Sequence, residues 1–144
     1  MATNLALGTL VISFNVVIHT VGLIVLARWM SWIVRWFSLH RHSLGKTVAM
    51  VTTVLGLFLA HTIEVWVWAI AYVVVGAVNG LEEAVYFSTV TFSTLGYGDI
   101  TPAPAWRVFA ALEGMNGFIL IGWSIAYLVA ASTRHGPFRI GEHF

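Results

Sequence analysis

The sequence predicts an all-α membrane protein, with three transmembrane helices and a shorter re-entrant segment between the second and third. Hydrophobic residues make up 59% of the 144 residues and charged residues only 9%, whereas charged residues make up about 25% of a soluble domain. Three apolar runs are long enough to cross the roughly 30 Å hydrocarbon core of a bilayer. They lie at about 5–27, 47–78 and 106–132.

The segment that follows the first span, residues 28–41, has an amphipathic pattern. On a helical wheel its aromatic side chains share one face and its arginines the other, which is typical of a helix in the membrane interface. The aromatic face carries Trp29, Trp32, Ile33, Trp36 and Phe37, and the opposite face carries Arg28, Ser31, Arg35 and Ser38. We therefore predict a transmembrane helix and an interfacial helix in residues 1–46. The alternative is a frayed extension of the first span followed by a loop.

The basic residues predict the orientation. Of the seven Lys and Arg residues, only Arg107, at the outer end of span three, lies on the other side of the membrane from the rest. The others lie between spans one and two or after span three, which the positive-inside rule makes cytoplasmic. The N-terminus is then outside, and residues 133–144 form a short cytoplasmic tail. Since no Lys or Arg precedes Arg28, the positive region of a cleaved signal peptide is missing.

A short helix is predicted between the second and third spans, at about 81–92. Asn79 before it and Glu82 three residues later have the spacing of a capping box. Glu82 and Glu83 lie in the first turn, where the helix dipole favours acidic side chains. The helix would therefore begin at the outer surface and point its carboxyl end toward the membrane interior.

The run after this helix is the most informative part of the chain. It reads Thr94, Leu95, Gly96, Tyr97, Gly98 and Asp99. Glycines at alternate positions accept backbone angles that other residues resist. Successive carbonyls can then turn to one side and replace the water around an ion. The run resembles the selectivity filter of the potassium channel pore domain, in particular that of the two-transmembrane, bacterial inward-rectifier-like ion channel family. The resemblance covers residues 47–132, and an additional N-terminal helix precedes it.

The resemblance implies a homotetramer with one pore for K⁺ on its axis. Each chain would supply one wall of K⁺ sites, from Thr94, Leu95, Gly96 and Tyr97, with Gly98 completing the filter. Asp99, Glu82 and Glu83 would form an acidic outer mouth that concentrates cations. The family usually has Val or Ile in place of Leu95, so a weakly selective cation channel is an alternative.

The resemblance also assigns supporting residues. Tyr86 and Phe87 match aromatic positions that brace the filter. Glu113 is an intramembrane carboxylate, a functional candidate in itself, and would pack behind the pore helix. Val90 stands where some relatives carry a carboxylate that pairs with the aspartate, which leaves Ser88 or Thr89 to serve as partners of Asp99.

A hinge and a gate are predicted in the third span. Gly117 matches the glycine that lets the inner helix bend. Ile121, Ile125 and Val129 follow it at a spacing of four residues. This stripe could line the inner cavity and close it as a hydrophobic constriction.

Polar residues inside the first two spans predict contact between these spans. Asn15 and His19 share one helical face, as do His61 and Glu64. We expect interhelical hydrogen bonds that dock span one on the outer, lipid-side flank of span two. A metal site is the alternative.

The predicted function is a potassium-selective channel that conducts K⁺ passively, in a bacterial cytoplasmic membrane. We expect no enzyme activity, no catalytic residues, no organic cofactor, no nucleic-acid partner and no small-molecule substrate. The absence of cysteine excludes disulfides and thiolate metal sites. A non-conducting membrane sensor or auxiliary subunit is an alternative. A potassium transporter of the repeat type would need several pore loops per chain, and this chain has one.

Overall fold

The computed structural model describes residues 1–36 and 43–135. It contains the helices α1 (Ala2–Trp36), α2 (Ser43–Val74), α3 (Leu81–Phe92) and α4 (Arg107–His135), with a 3₁₀ turn at Pro104–Trp106. No strand occurs within the described ranges. Helices α1, α2 and α4 are long and apolar enough to cross a membrane, whereas α3 has only 12 residues. The predicted fold class, an all-α membrane protein with three spans, is confirmed.

Helix α1 continues without interruption through part of the segment predicted to lie in the interface. It runs from Ala2 to Trp36 as one helix of 35 residues, so residues 28–36 extend the first span here. Residues 37–41 of the predicted interfacial helix lie outside the described residues, as do residues 136–144 of the predicted tail. The division into domains stays a prediction.

Helix α2 ends four residues before the predicted limit of the second span because Gly76 turns the chain. Gly76 has a φ of 68°, a left-handed conformation that glycine adopts without steric cost. The Ala77 N–H then donates to the Tyr72 carbonyl (2.9 Å) and the Gly76 N–H donates to the Val73 carbonyl (3.1 Å). This pair of bonds is the Schellman motif, which satisfies carbonyls at a helix end.

Helix α3 has the predicted bounds but not the predicted cap. Its N-cap is Gly80, with a φ of 86°, and no side chain donates or accepts a cap hydrogen bond. The capping box of Asn79 and Glu82 is therefore wrong. The reason is one of register, since a capping side chain must stand at the N-cap itself and Asn79 lies one residue too early.

The main core lies where α2, α3 and α4 meet. Trp68 and Tyr72 of α2 and Phe109 of α4 are fully buried there. The ring centroids of Trp68 and Phe109 are 4.9 Å apart, and those of Tyr72 and Phe87 are 5.1 Å apart with nearly perpendicular planes. Edge-to-face aromatic pairs of this kind contribute about 0.5–1.5 kcal/mol beyond the area they bury. They fix α3 against the two flanking spans.

Helix α1 packs on α4 as well as on α2. The amide nitrogen of Asn4 donates to the carbonyl of Ala105 (3.0 Å), and the Asn4 amide oxygen accepts from the N–H of Phe109 (3.0 Å). Asn4 thus caps the start of α4, where backbone N–H groups lack partners within the helix. The predicted docking of α1 on α2 is observed. We expected α1 to contact α2 alone, whereas it also contacts the start of α4.

Candidate functional site

The candidate site begins at the carboxyl end of α3. The Leu95 N–H donates to the Val90 carbonyl (3.0 Å) and the Thr94 N–H donates to the Thr91 carbonyl (3.0 Å), which is a second Schellman motif. Thr94 holds the position that usually belongs to glycine, with a φ of 61°. It is the one non-glycine residue with positive φ among the described residues. Such a conformation is an outlier for a β-branched residue and marks a constrained site.

The backbone after Thr94 alternates in handedness. Gly96 has a φ of 59° and Gly98 a φ of 77°, while Leu95 and Tyr97 between them do not have positive φ. This alternation is what the T-L-G-Y-G run needs to turn successive carbonyls to one side. In the single chain the run is open to its surroundings, since Leu95 is 56% exposed and Tyr97 67% exposed.

Tyr86 connects α3 to Asp99, which directly follows residues 94–98, named the filter run here after the resemblance given above. Its hydroxyl donates to Asp99 Oδ2 at 2.7 Å. The expected partners Ser88 and Thr89 are wrong, because Thr89 donates to the Val85 carbonyl of its own helix and Ser88 points into the core. The hydrogen bond from Tyr86 holds the pKa of the Asp99 carboxyl below its usual value and raises the pKa of the Tyr86 hydroxyl. Glu82 and Glu83 lie exposed at the start of α3.

Replacing Tyr86 by Phe should raise the pKa of Asp99 toward the ordinary carboxyl value of 3.8. In the native chain, the stabilisation from the Tyr86–Asp99 hydrogen bond is fully present above the ordinary carboxyl pKa of 3.8. It is lost as the pH falls through the lowered pKa of the folded state. Carboxyl ¹³C shifts of labelled Asp99 in reconstituted protein measure this directly. Tyr127→Phe, which removes a hydroxyl from a different helix, is the control. Equal Asp99 titration in native and Tyr86→Phe protein would contradict the prediction.

Glu113 lies behind α3, where it joins three helices. The Tyr72 hydroxyl of α2 donates to its Oε2, and the Ser88 hydroxyl of α3 contacts its Oε1. The same hydroxyl lies 2.9 Å from the Val65 carbonyl oxygen. All three side chains are fully buried. The sequence pointed to Glu113 but not to its partners, since Tyr72 was not selected and Ser88 was expected to pair with Asp99. The signal of both is a hydroxyl inside an apolar run. Phe87, the other predicted support, packs on Tyr72.

Gly117 and the predicted gate residues lie in different surroundings. A Cβ built on Gly117 would collide with the carbonyl oxygen of Phe92 and would lie 2.9 Å from its Cα. Gly117 therefore allows α4 to approach the end of α3. Ile121 packs partly on the core, whereas Ile125 is 58% exposed and Val129 44% exposed. The hinge and the gate stay predictions.

The two polar pairs predicted inside the first two spans, one in each span, contact each other. His19 of α1 and His61 of α2 each contact one oxygen of Glu64, and the Asn15 amide nitrogen donates to the Glu64 carbonyl at 3.4 Å. His61 also contacts Ser124 of α4, a partner that sequence reasoning missed.

The comparisons with known proteins define the class. Residues 60–134, more than half of the chain, match the ion channel family model. This range contains residues 60–74 of α2, all of α3, the filter run and nearly all of α4, and it excludes α1. The chain therefore belongs to the ion channel family, and this membership makes it a channel and not an enzyme.

The chain is similar to one particular channel, the two pore potassium channel c of Oryza sativa subsp. japonica. The two are 35% identical over 69 residues, which is 47% of this chain and 14% of that relative. The chain thus matches only a small part of the relative's length. No solved structure matches the chain at the same level of significance.

Proposed function

We propose that four copies of this chain form a potassium-selective channel that conducts K⁺ passively down its electrochemical gradient. The observation that carries the proposal is the alternating backbone at Thr94, Gly96 and Gly98. This backbone can offer carbonyls as ligands in place of water. Thr94, Leu95, Gly96 and Tyr97 supply the K⁺ sites, and Gly98 closes the run.

The exposure of the filter run supports assembly. One chain provides one wall, and a conducting path needs walls on all sides. Leu95 and Tyr97 are more than half exposed in the single chain, and neighbouring copies around a fourfold axis would cover them. Closed rotational symmetry is the common form of homo-oligomers. Native mass measurement should therefore give four chains of 15.8 kDa each.

The acidic residues near the filter support cation entry. Asp99 is held as a carboxylate by the hydroxyl of Tyr86, and Glu82 and Glu83 add exposed acid at the start of α3. Fourfold repetition turns these residues into a ring of negative charge, which raises the local concentration of cations. Glu113 positions α3, and with it the filter, through Tyr72 and Ser88.

The inner end of α4 is the proposed gate. Ile125 and Val129 are exposed apolar residues in the single chain, and copies of them around an axis would form a hydrophobic constriction that closes by dewetting. Gly117 and Ile121 connect this end to the filter region. The family resemblance implies a bacterial cytoplasmic membrane. We propose that the N-terminus lies outside and the C-terminus in the cytoplasm, because most basic residues then lie inside.

Flux through purified protein in liposomes tests the proposal. K⁺ and Rb⁺ should pass much faster than Na⁺, because carbonyl sites replace the hydration shell of the larger ions better. Vesicles without protein give the background. Reversal potentials in mixed K⁺ and Na⁺ measure the ratio. The second candidate, a weakly selective cation channel, is favoured by Leu95 in the filter, and comparable Na⁺ and K⁺ permeability would support it. Absence of flux in a correctly assembled oligomer would support a non-conducting subunit.

A further inference from the structure

Three side chains that can bind metal ions converge between α1, α2 and α4. His19 Nδ1 lies 2.9 Å from Glu64 Oε1, and His61 Nδ1 lies 2.7 Å from Glu64 Oε2. One donor atom from each residue can be chosen so that all lie within 4.8 Å of one another. The two imidazole rings are stacked, with centroids 5.4 Å apart. Helices α1 and α2 thus bring three possible metal ligands together.

The charge of this cluster calls for a cation. Glu64 and His19 are fully buried and His61 is 20% exposed. A buried carboxylate is costly unless a positive charge or several hydrogen bonds compensate it. Within residues 1–36 and 43–135, the groups at ion-pair distance from Glu64 are the two imidazoles. One protonated imidazole would balance the charge of the carboxylate, and a divalent ion between the three groups would balance it with both imidazoles free to act as ligands.

The ligand chemistry selects the class of metal. Two imidazoles and one carboxylate form a set that Zn²⁺ accepts, with a fourth position left open. Imidazole nitrogen suits Zn²⁺, Cu²⁺ and Ni²⁺, whereas Mg²⁺ and Ca²⁺ prefer oxygen. Ligand atoms of tetrahedral Zn²⁺ are about 3.3 Å apart. The observed separations of 2.7 and 2.9 Å would therefore have to open by about half an ångström, and any wider separation within the 4.8 Å cluster would have to close. Side-chain rotation is the movement that would do both.

Partners around the cluster fit a metal site. A histidine that binds metal through one nitrogen usually donates its other N–H to a neighbouring acceptor. His61 has that arrangement, since its Nε2 lies 2.9 Å from the Ser124 Oγ of α4, whereas His19 Nε2 is buried without a hydrogen-bond partner. The amide oxygen of Asn15 is buried without a hydrogen-bond partner, although the same amide contacts the Glu64 backbone. It could serve as a fourth ligand or accept from a metal-bound water. His61 also borders an apolar groove between α2 and α4.

We propose that His19, His61 and Glu64 form a site for one divalent transition-metal ion of the Zn²⁺ class per chain. The ion joins α1 to α2 directly and reaches α4 through His61 and Ser124. Its function is to fix the additional N-terminal helix on the pore-forming part of the chain. This proposal does not depend on which ion the pore conducts.

Cobalt binding tests the site without any measurement of flux. The full chain, purified and stripped with EDTA, is titrated with Co²⁺ and its visible absorption recorded. We expect bands of four- or five-coordinate Co²⁺ at about one ion per chain, and their loss when Zn²⁺ is added. The variant H40Q/H42Q/H135Q/H143Q removes every histidine outside the cluster and should keep these bands. No such bands in native protein, or bands lost in this variant, would overturn the proposal.

Single substitutions locate the ligands. Glu64→Gln keeps the size and removes the negative charge, so it should abolish Co²⁺ binding at stoichiometric metal. Glu113→Gln is the matched control, since it changes a buried carboxylate with no imidazole partner, and it should bind as native. Ser124→Ala should weaken affinity by roughly 10-fold through loss of the partner of His61. Thr62→Ala, whose hydroxyl bonds within its own helix, should not. Native affinity in both Glu64→Gln and Ser124→Ala would overturn the site. If Glu64→Gln fails to insert, Ser124→Ala and the histidine variant decide.

Discussion

Gly96→Ala should reduce Rb⁺ flux through proteoliposomes to the background of protein-free vesicles, while insertion into the membrane stays intact. Gly96 has a φ of 59°, and the left-handed conformation costs a residue with a Cβ about 1–2 kcal/mol. Within the single chain, a Cβ built at this position meets no atom within 4 Å, so the effect expected from the chain itself comes from the backbone. The relaxed backbone turns the carbonyls away from the ion path, in every chain of the proposed tetramer.

Gly76→Ala is the matched control for this experiment. Gly76 has a φ of 68°, and a Cβ there also meets nothing within 4 Å. It lies in the turn after α2, outside the filter run, so the same backbone penalty should leave Rb⁺ flux near the native level. Flux measured per inserted protein separates the two variants. Native flux in Gly96→Ala, or equal loss in both variants, would contradict a role of the filter backbone in conduction.

The spans could be predicted from sequence because they depend on length and hydropathy alone. The helix at Leu81–Phe92 was predicted with its observed bounds, since two glutamates mark its start and the glycine-rich run marks its end. The capping box was not predictable in the same way. The N-cap is Gly80 and not Asn79, because the cap depends on the angle at which the chain leaves the turn, and a one-residue shift in that turn changes the residue at the cap.

The candidate site was predictable as a set of residues but not as a set of contacts. The motif indicated a filter in residues 94–98 and an acid inside an apolar span indicated Glu113, and both roles stay predictions. The partner of Asp99 was not predictable, because it depends on which side of α3 faces the returning chain, and this side carries Tyr86. Likewise, Thr94 adopts a left-handed conformation because of the hydrogen bonds that end α3. Threonine disfavours this conformation, so its local propensity could not predict it.

Gly117→Ala should destabilise the protein, because Gly117 is a contact position between α3 and α4. The new methyl group would lie 2.7 Å from the carbonyl carbon of Phe92 and closer still to its oxygen. Overpacking of this kind typically costs about 1–3 kcal/mol. Here the obstacle is the backbone at the end of α3, which cannot rotate away as a side chain can. The midpoint of thermal unfolding in detergent should fall. Flux should fall as well, because displaced Phe92 is two residues from the filter run.

Gly122→Ala separates this contact from an effect of helix flexibility. Gly122 lies in the same helix, and a Cβ there meets no atom within 4 Å. Replacing a helical glycine by alanine otherwise stabilises by roughly 0.5–1 kcal/mol, so Gly122→Ala should raise the unfolding midpoint or leave it unchanged. The two substitutions add the same methyl group to the same helix and should act with opposite sign. If Gly117→Ala is as stable as the native protein and changes only the probability of opening, Gly117 is a hinge, as the family resemblance implies. Both variants stiffen the helix to the same extent. A midpoint that falls in Gly117→Ala but not in Gly122→Ala would therefore show that the close contact with Phe92 requires glycine at position 117.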